Sequence, residues 1–204
     1  MIVNFRMLIV NQQIHFVPRS LYMNRKMTLK TMIQTALVTA VICVLSPFVI
    51  PLPISPVPVS LSIFAIYMGL YAVGFKCGTI ATFLYILIGL VGVPVFSGFS
   101  GGPAKLFGPT GGYILGYLFI CVIAGPIIDK FEKKIWLHII FMIIGVAVCY
   151  LFGTLWFVKV MDGYTFASAL SVCVIPFIPA DIVKIAVAVI AGPLIRKQIK
   201  RIAA

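Results

Sequence analysis

Asp181 and Lys184 stand in the segment Pro179-Ala-Asp-Ile-Val-Lys, inside an otherwise uncharged run from Gly163 to Ile195. A spacing of three places both side chains on one helix face, close enough to interact. Charge inside an apolar segment is costly and marks a functional site or a buried partner. The chemistry open to the pair is recognition: a carboxylate accepts N–H bonds and an ammonium donates them. The alternative is an ion pair that only locks its own helix. Pro179 frees backbone groups just before Asp181 and brings a helix start to the same spot. General-base catalysis by Asp181 is a weaker reading. An enzyme usually gathers more polar groups, and the other three acidic residues, Asp129, Glu132 and Asp162, sit at loop positions.

The second concentration of polar chemistry is the stretch Gly89–Tyr117, which follows one apolar run and opens another. It is far longer than a turn between two membrane spans requires. Glycine permits positive φ and close approach of a ligand to the backbone, while proline stiffens the segment. Backbone that is neither helix nor barrel survives at membrane depth only when packed in protein or lining a polar cavity. The stretch therefore reads as one wall of a small-molecule pocket, with Lys105 either meeting a ligand carboxylate or solvated at a loop tip. Glycine donors, aromatic walls, a carboxylate and an ammonium suit a small, mostly apolar ligand with a few polar edges.

Long apolar helices must carry these groups. Of the 204 residues 62% are hydrophobic and 10% charged, which excludes a disordered or ordinary soluble protein. The formal charge of +12 does not indicate nucleic-acid binding. Thirteen of the sixteen basic residues fall in four clusters between the apolar runs, a topology signal and not a binding face. The prolines Pro51, Pro53, Pro56 and Pro58 divide the uncharged stretch Thr31–Phe75, since repeated Pro cannot continue a helix. The spans expected are Thr31 to Ile50, Val59 to Val73, Cys77 to Leu90, Gly112 to Ile128, Ile135 to Phe157, and a last one within Gly163–Ile195 interrupted by Pro176 and Pro179. The fold class expected is an all-α membrane protein with six transmembrane helices. The basic clusters place both termini in the cytoplasm and the three long loops outside. If the last helix leaves the membrane near Ile195, Asp181 lies roughly 21 Å up at 1.5 Å per residue, in the outer half of a core about 30 Å thick. Residues 1–26 are expected to lie outside the bundle formed by residues 27–204.

Several classes find no support. Cys43, Cys77, Cys121, Cys149 and Cys173 are scattered singly, and His15 and His138 are isolated, so neither a metal site nor a disulfide framework is indicated. Lys105 follows Ala104, so there is no G-K-[ST] phosphate loop. Two small-xxx-small faces, Ala36/Ala40 and Gly112/Gly116, allow close helix contact; packing inside the bundle is the favoured reading for the second.

The segment Gly-Val-Pro-Val-Phe-Ser-Gly-Phe-Ser-Gly-Gly-Pro-Ala-Lys-Leu-Phe-Gly-Pro-Thr-Gly-Gly-Tyr, residues 92–113, resembles the signature loop of the BioY family, the biotin-binding S components of energy-coupling factor (ECF) transporters. Pro56-Val-Pro58-Val-Ser and Pro179-Ala-Asp181-Ile-Val-Lys184 resemble the same family, over about Met27 to Arg201. That resemblance implies a six-helix biotin-binding subunit in the cell membrane, with no cofactor. Its partners would be a transmembrane coupling protein and two cytoplasmic ATPases. It implies that Asp181 and Lys184 bond the polar ring or carboxylate of biotin. Phe96, Ser97, Gly98, Phe99, Ser100, Gly101 and Gly102, with Lys105, Tyr113 and Tyr117, would enclose the vitamin. It also implies that Ala36 and Ala40 form the docking face for the coupling protein. The family often carries Gln near the start of its second helix, where this chain has Ser62. A stand-alone vitamin carrier not driven by ATP is the alternative; it would typically need a coupling-ion site and often inverted repeats.

Overall fold

Each apolar run expected to cross the membrane is largely helical, although the first helix ends at Leu45 rather than Ile50 and the second starts at Ser62 rather than Val59, the intervening ends forming strands. The computed structural model describes residues 28–51 and 57–203. The extension expected over residues 1–26, and Pro53 and Pro56 of the first loop, lie outside them. Helix α1, Leu29–Leu45, starts at Thr28, whose side chain accepts the Thr31 N–H at 3.3 Å, satisfying a helix-end donor. It buries Thr35, Val38, Thr39 and Ile42 against the bundle. The prolines of the first loop cannot continue the helix. The described residues flanking that loop pair as a short antiparallel ribbon of β1, Val49–Ile50, and β2, Val59–Ser60. The fold is thus helical with one small ribbon, where a purely helical chain was expected.

Helix α2, Ser62–Leu90, doubles back at Gly74, whose φ of 80° and ψ of 175° are non-helical. Only glycine takes that conformation without strain. In a straight helix residues 70 and 78 would lie roughly 12 Å apart. Here a Cβ on Gly78 would come within 3.2 Å of the Leu70 Cα. Val38 of α1 meets Gly69 on the first arm, while the Thr39 hydroxyl beside it lies 3.4 Å from the Ala81 carbonyl on the second. The break expected at Lys76 therefore falls two residues earlier.

The short α3, Pro103–Leu106, leads into α4, Gly111–Lys130, and α5, Ile135–Val160. Glycine brings α4 and α5 together: a Cβ on Gly116 would lie 2.7 Å from Cys149 Sγ, and one on Gly112 3.1 Å from the Gly153 Cα. The Gly112/Gly116 face does pack inside the bundle. The last apolar region divides into α6, Phe166–Cys173, a 3₁₀ turn at Ile175–Phe177 holding Pro176, and α7, Ile178–Ala203. Pro179 falls in the first turn of α7, where its missing N–H costs nothing. Among the described residues four stretches are long and apolar enough to cross a bilayer: Ser62–Leu90, Gly111–Lys130, Ile135–Val160 and Phe166–Arg201. α1 is apolar but shorter.

A polar clasp closes one end of the bundle. Asp129, at the end of α4, accepts the Phe75 N–H at 2.7 Å and an Arg196 N–H from α7 at 2.8 Å. It thereby caps the second arm of α2 where the chain reverses. Lys200 hydrogen-bonds Glu132 at 2.7 Å, and Arg196 reaches it at 3.0 Å. The Lys200 hydrogen bond, with Arg196 behind it, holds the Glu132 carboxyl below the usual range. Asp129→Ala should therefore cost about 1 kcal/mol, at the lower end for a charged cap because the group is partly exposed. A thermal unfolding midpoint lowered by a few degrees would show it; an unchanged midpoint would mean water replaces the clasp.

Candidate functional site

The first turns of α7 carry Asp181 and Lys184 into the protein interior, with 4% and 9% of their surfaces exposed. The Lys184 ammonium donates to Asp181 Oδ1 at 2.6 Å. The other carboxylate oxygen accepts the Tyr150 hydroxyl from α5. Two buried charges are tolerable only when paired and hydrogen-bonded, and this arrangement engages both carboxylate oxygens. A carboxylate offers about four acceptor sites and an ammonium three donors. The couplet therefore keeps both acceptor and donor capacity for a third party.

That capacity faces a small, partly open cavity of about 40 Å³. Its walls include Ser60 of β2, Tyr113 and Tyr117 of α4, Tyr150, and Phe177 from the 3₁₀ turn. The cavity lies where the main core meets a smaller cluster that includes Val57, Val59, Phe157 and Cys173. Two anchors fix the tyrosines. The Tyr113 hydroxyl lies 3.0 Å from Thr154 Oγ1 on α5. Ser60 and Ser62 share a hydrogen bond at 2.8 Å, and the Tyr117 hydroxyl interacts with both. Ser62 thus supplies its polar contact through Ser60 and Tyr117. A separate groove of about 520 Å³ lies on the outer side of Tyr150 and Asp181, lined by apolar residues such as Leu151, Leu170 and Ile182. Leu151 and Ile182 are at least half exposed, so the groove opens sideways, toward lipid.

The residues named from sequence divide into two groups. Asp181, Lys184, Tyr113 and Tyr117 come together around the cavity. The loop Phe96–Gly102 is not part of its described lining and folds on itself instead. Phe96 and Ser100 exchange backbone hydrogen bonds, and Ser100 Oγ donates to the Ser97 carbonyl at 2.8 Å. Gly98 and Phe99 take positive φ at the tip, 74° and 53°. The Phe96 ring is fully buried edge-on to Tyr85, against Gly89, where any side chain would clash. Phe99 is exposed and meets Phe48, while Gly98 N–H donates to the Pro47 carbonyl at 3.0 Å. The loop therefore ties the first loop down. Gly101 is pressed against Val93, and Gly102 N–H donates to the Gly89 carbonyl at 2.7 Å. Lys105 is half-buried, and burial lowers its pKa below the ordinary lysine value. Ala36 and Ala40 point outward from α1, between the exposed Ile33, Leu37 and Val41.

Tyr150 was not singled out from sequence, and Ser60 entered only as the last residue of the Pro56-Val-Pro58-Val-Ser motif. Tyr150 is one hydroxyl in an apolar helix, and its partner lies 31 residues away. The available signal was the cost of burying a phenol at that depth without an acceptor.

A family model described as "BioY family" matches residues 23–201. The chain belongs to the BioY family. This BioY family member is 34% identical over 148 residues to the biotin transporter BioY of Thermotoga maritima, which covers 72% of the chain and 86% of that protein. It is 38% identical over 141 residues to a probable biotin transporter BioY of Pyrococcus horikoshii, covering 69% and 82%. The crystal structure of an S-component for biotin from an ECF-type ABC transporter superposes with a TM-score of 0.75. Identity there is 29%, over 82% of this chain and 91% of that one. These relatives are transporters by name, and the BioY member described here is accordingly a multi-pass membrane protein of a transport family, not an enzyme.

In this BioY member Tyr150→Phe should weaken ligand binding roughly tenfold, because one hydrogen bond to a buried carboxylate is lost. Isothermal titration of the purified chain is the direct measurement. Full affinity with a lowered melting point would make Tyr150 a structural prop for α5 and α7.

Proposed function

We propose that this protein is the biotin-capturing subunit of an ECF-type importer in the cell membrane. It crosses the bilayer six times and has both termini in the cytoplasm. The observation that carries the reading is the buried Asp181–Lys184–Tyr150 network on a cavity walled by Tyr113 and Tyr117, in a chain whose relatives are named biotin transporters. The reversal at Gly74 supports the crossing count: α1, both arms of α2, α4, α5 and α7 make six. The basic clusters supply the orientation.

A cyclic urea matches the couplet. Its N–H groups donate to the free acceptor sites of Asp181, and its carbonyl accepts from Lys184. The tyrosine rings and Phe177 then enclose the apolar bicycle. Phe96–Gly102 and Lys105 belong to the same assembly as its outer wall, with their part exerted through Pro47 and Phe48. Energy comes from outside the chain, through a transmembrane coupling protein and two cytoplasmic ATPases. The test is a binding panel on the purified protein. Biotin should bind at one site per chain, while thiamin and riboflavin should leave the signal unchanged; binding of either vitamin in place of biotin would overturn the proposal.

A further inference from the structure

Opposite the biotin cavity, α7 ends in a second concave site. It has a volume of about 400 Å³ and is lined by Arg196, Lys197, Lys200 and Arg201, with a single carboxylate, Glu132. Lys197 lies roughly 24 Å along the helix from Asp181, so with the couplet in one leaflet this pocket falls at the opposite membrane boundary. The floor is apolar and aromatic, formed by Ile128, Pro193 and the Tyr71 ring. Glu132 is already neutralised by Lys200 and Arg196, and Asp129 also holds Arg196. Lys197 and Arg201 are exposed, and among the described residues they have no acidic partner. The same end presents Trp136, 58% exposed, one turn from Lys133 and Lys134. Exposed tryptophan beside basic residues is the composition of a headgroup boundary.

We infer that this pocket binds the phosphodiester headgroup of an anionic phospholipid. Arg201 offers the planar fork that grips phosphate through two parallel hydrogen bonds, and Lys197 adds a point charge. The first methylenes of the lipid rest on Ile128 and Pro193. Basic pockets between helices at the membrane surface select anionic lipids in this way.

The test is native mass spectrometry of the full chain released from mixed micelles of phosphatidylglycerol and phosphatidylcholine. The wild type should retain phosphatidylglycerol in preference to phosphatidylcholine. The variant Lys197→Gln with Arg201→Gln should lose that preference by roughly tenfold or more, since each cation near the surface contributes severalfold. Arg201→Lys, which keeps the charge, should show a smaller loss. Lys133→Gln with Lys134→Gln, outside the pocket, should retain the preference. Equal loss in that control would mean a diffuse surface potential and would overturn the site, as would unchanged retention in the Lys197/Arg201 variant. Displacement of the lipid by millimolar inorganic phosphate would assign the pocket to a soluble anion and overturn the lipid reading.

Discussion

Asp181→Asn should weaken biotin binding by well over tenfold. The substitution keeps the shape of the side chain but removes the charge that Lys184 and Tyr150 both address. A hydrogen bond to a buried charged group is worth roughly 1.5–3 kcal/mol, and each 1.4 kcal/mol is a factor of ten. The amide also replaces one acceptor oxygen with a donor, so it conflicts with a donating Tyr150 hydroxyl or with a ureido N–H. Lys184 is left buried without a counter-charge, which costs several kcal/mol when one partner of a buried pair is removed. Titration calorimetry and a melting curve on the same preparation separate the two effects. Undiminished affinity with a lowered melting point would reduce the couplet to a helix lock.

Replacing Ala36 or Ala40 with Trp should abolish biotin uptake by the assembled importer and leave binding by the isolated chain intact. Both alanines are exposed on α1, away from its buried stripe, so a larger side chain meets no packed neighbour among the described residues. The buried stripe that packs α1 lies on Thr35, Val38, Thr39 and Ile42. A bulky residue would keep a partner helix from close approach, which small-residue faces permit. The comparison is radiolabelled uptake in cells against binding in detergent. Uptake at the wild-type rate would exclude this face as the docking surface; loss of binding in detergent would mean that the change disturbs the bundle.

The architecture was legible where it depended on single-residue physics. Apolar runs became helices, Pro176 marks the break in the last one, and Pro179 sits in the first turn that follows; the reversal fell at Gly74, two residues before the expected Lys76. Asp181 and Lys184 were legible because their cost is local and their spacing is helical. The loop was harder. Its glycines announce special backbone, but composition does not say whether that backbone lines a cavity or braces a neighbour. Gly89, Gly101 and Gly102 serve the second purpose here, making room for Phe96, Val93 and a backbone hydrogen bond. Tyr150 was illegible for a different reason. Its partner comes from another helix, and only tertiary packing brings the two together. The same holds for Arg196, which a topology count assigns to a basic tail but which grips Asp129 in the fold.

A space of about 40 Å³ beside Asp181 bears on rates as well as affinity. It is far smaller than the several hundred cubic ångströms of a typical ligand pocket. At the site proposed here, a bicyclic vitamin would need the ribbon holding Ser60, or the turn holding Phe177, to move aside. Encounters that arrive before such an opening would be unproductive, so the association rate constant would fall below that of an open site. Once the walls reclose, the same barrier slows escape. On the proposed reading, capture at low vitamin concentration would then rest on a long residence time rather than on fast arrival.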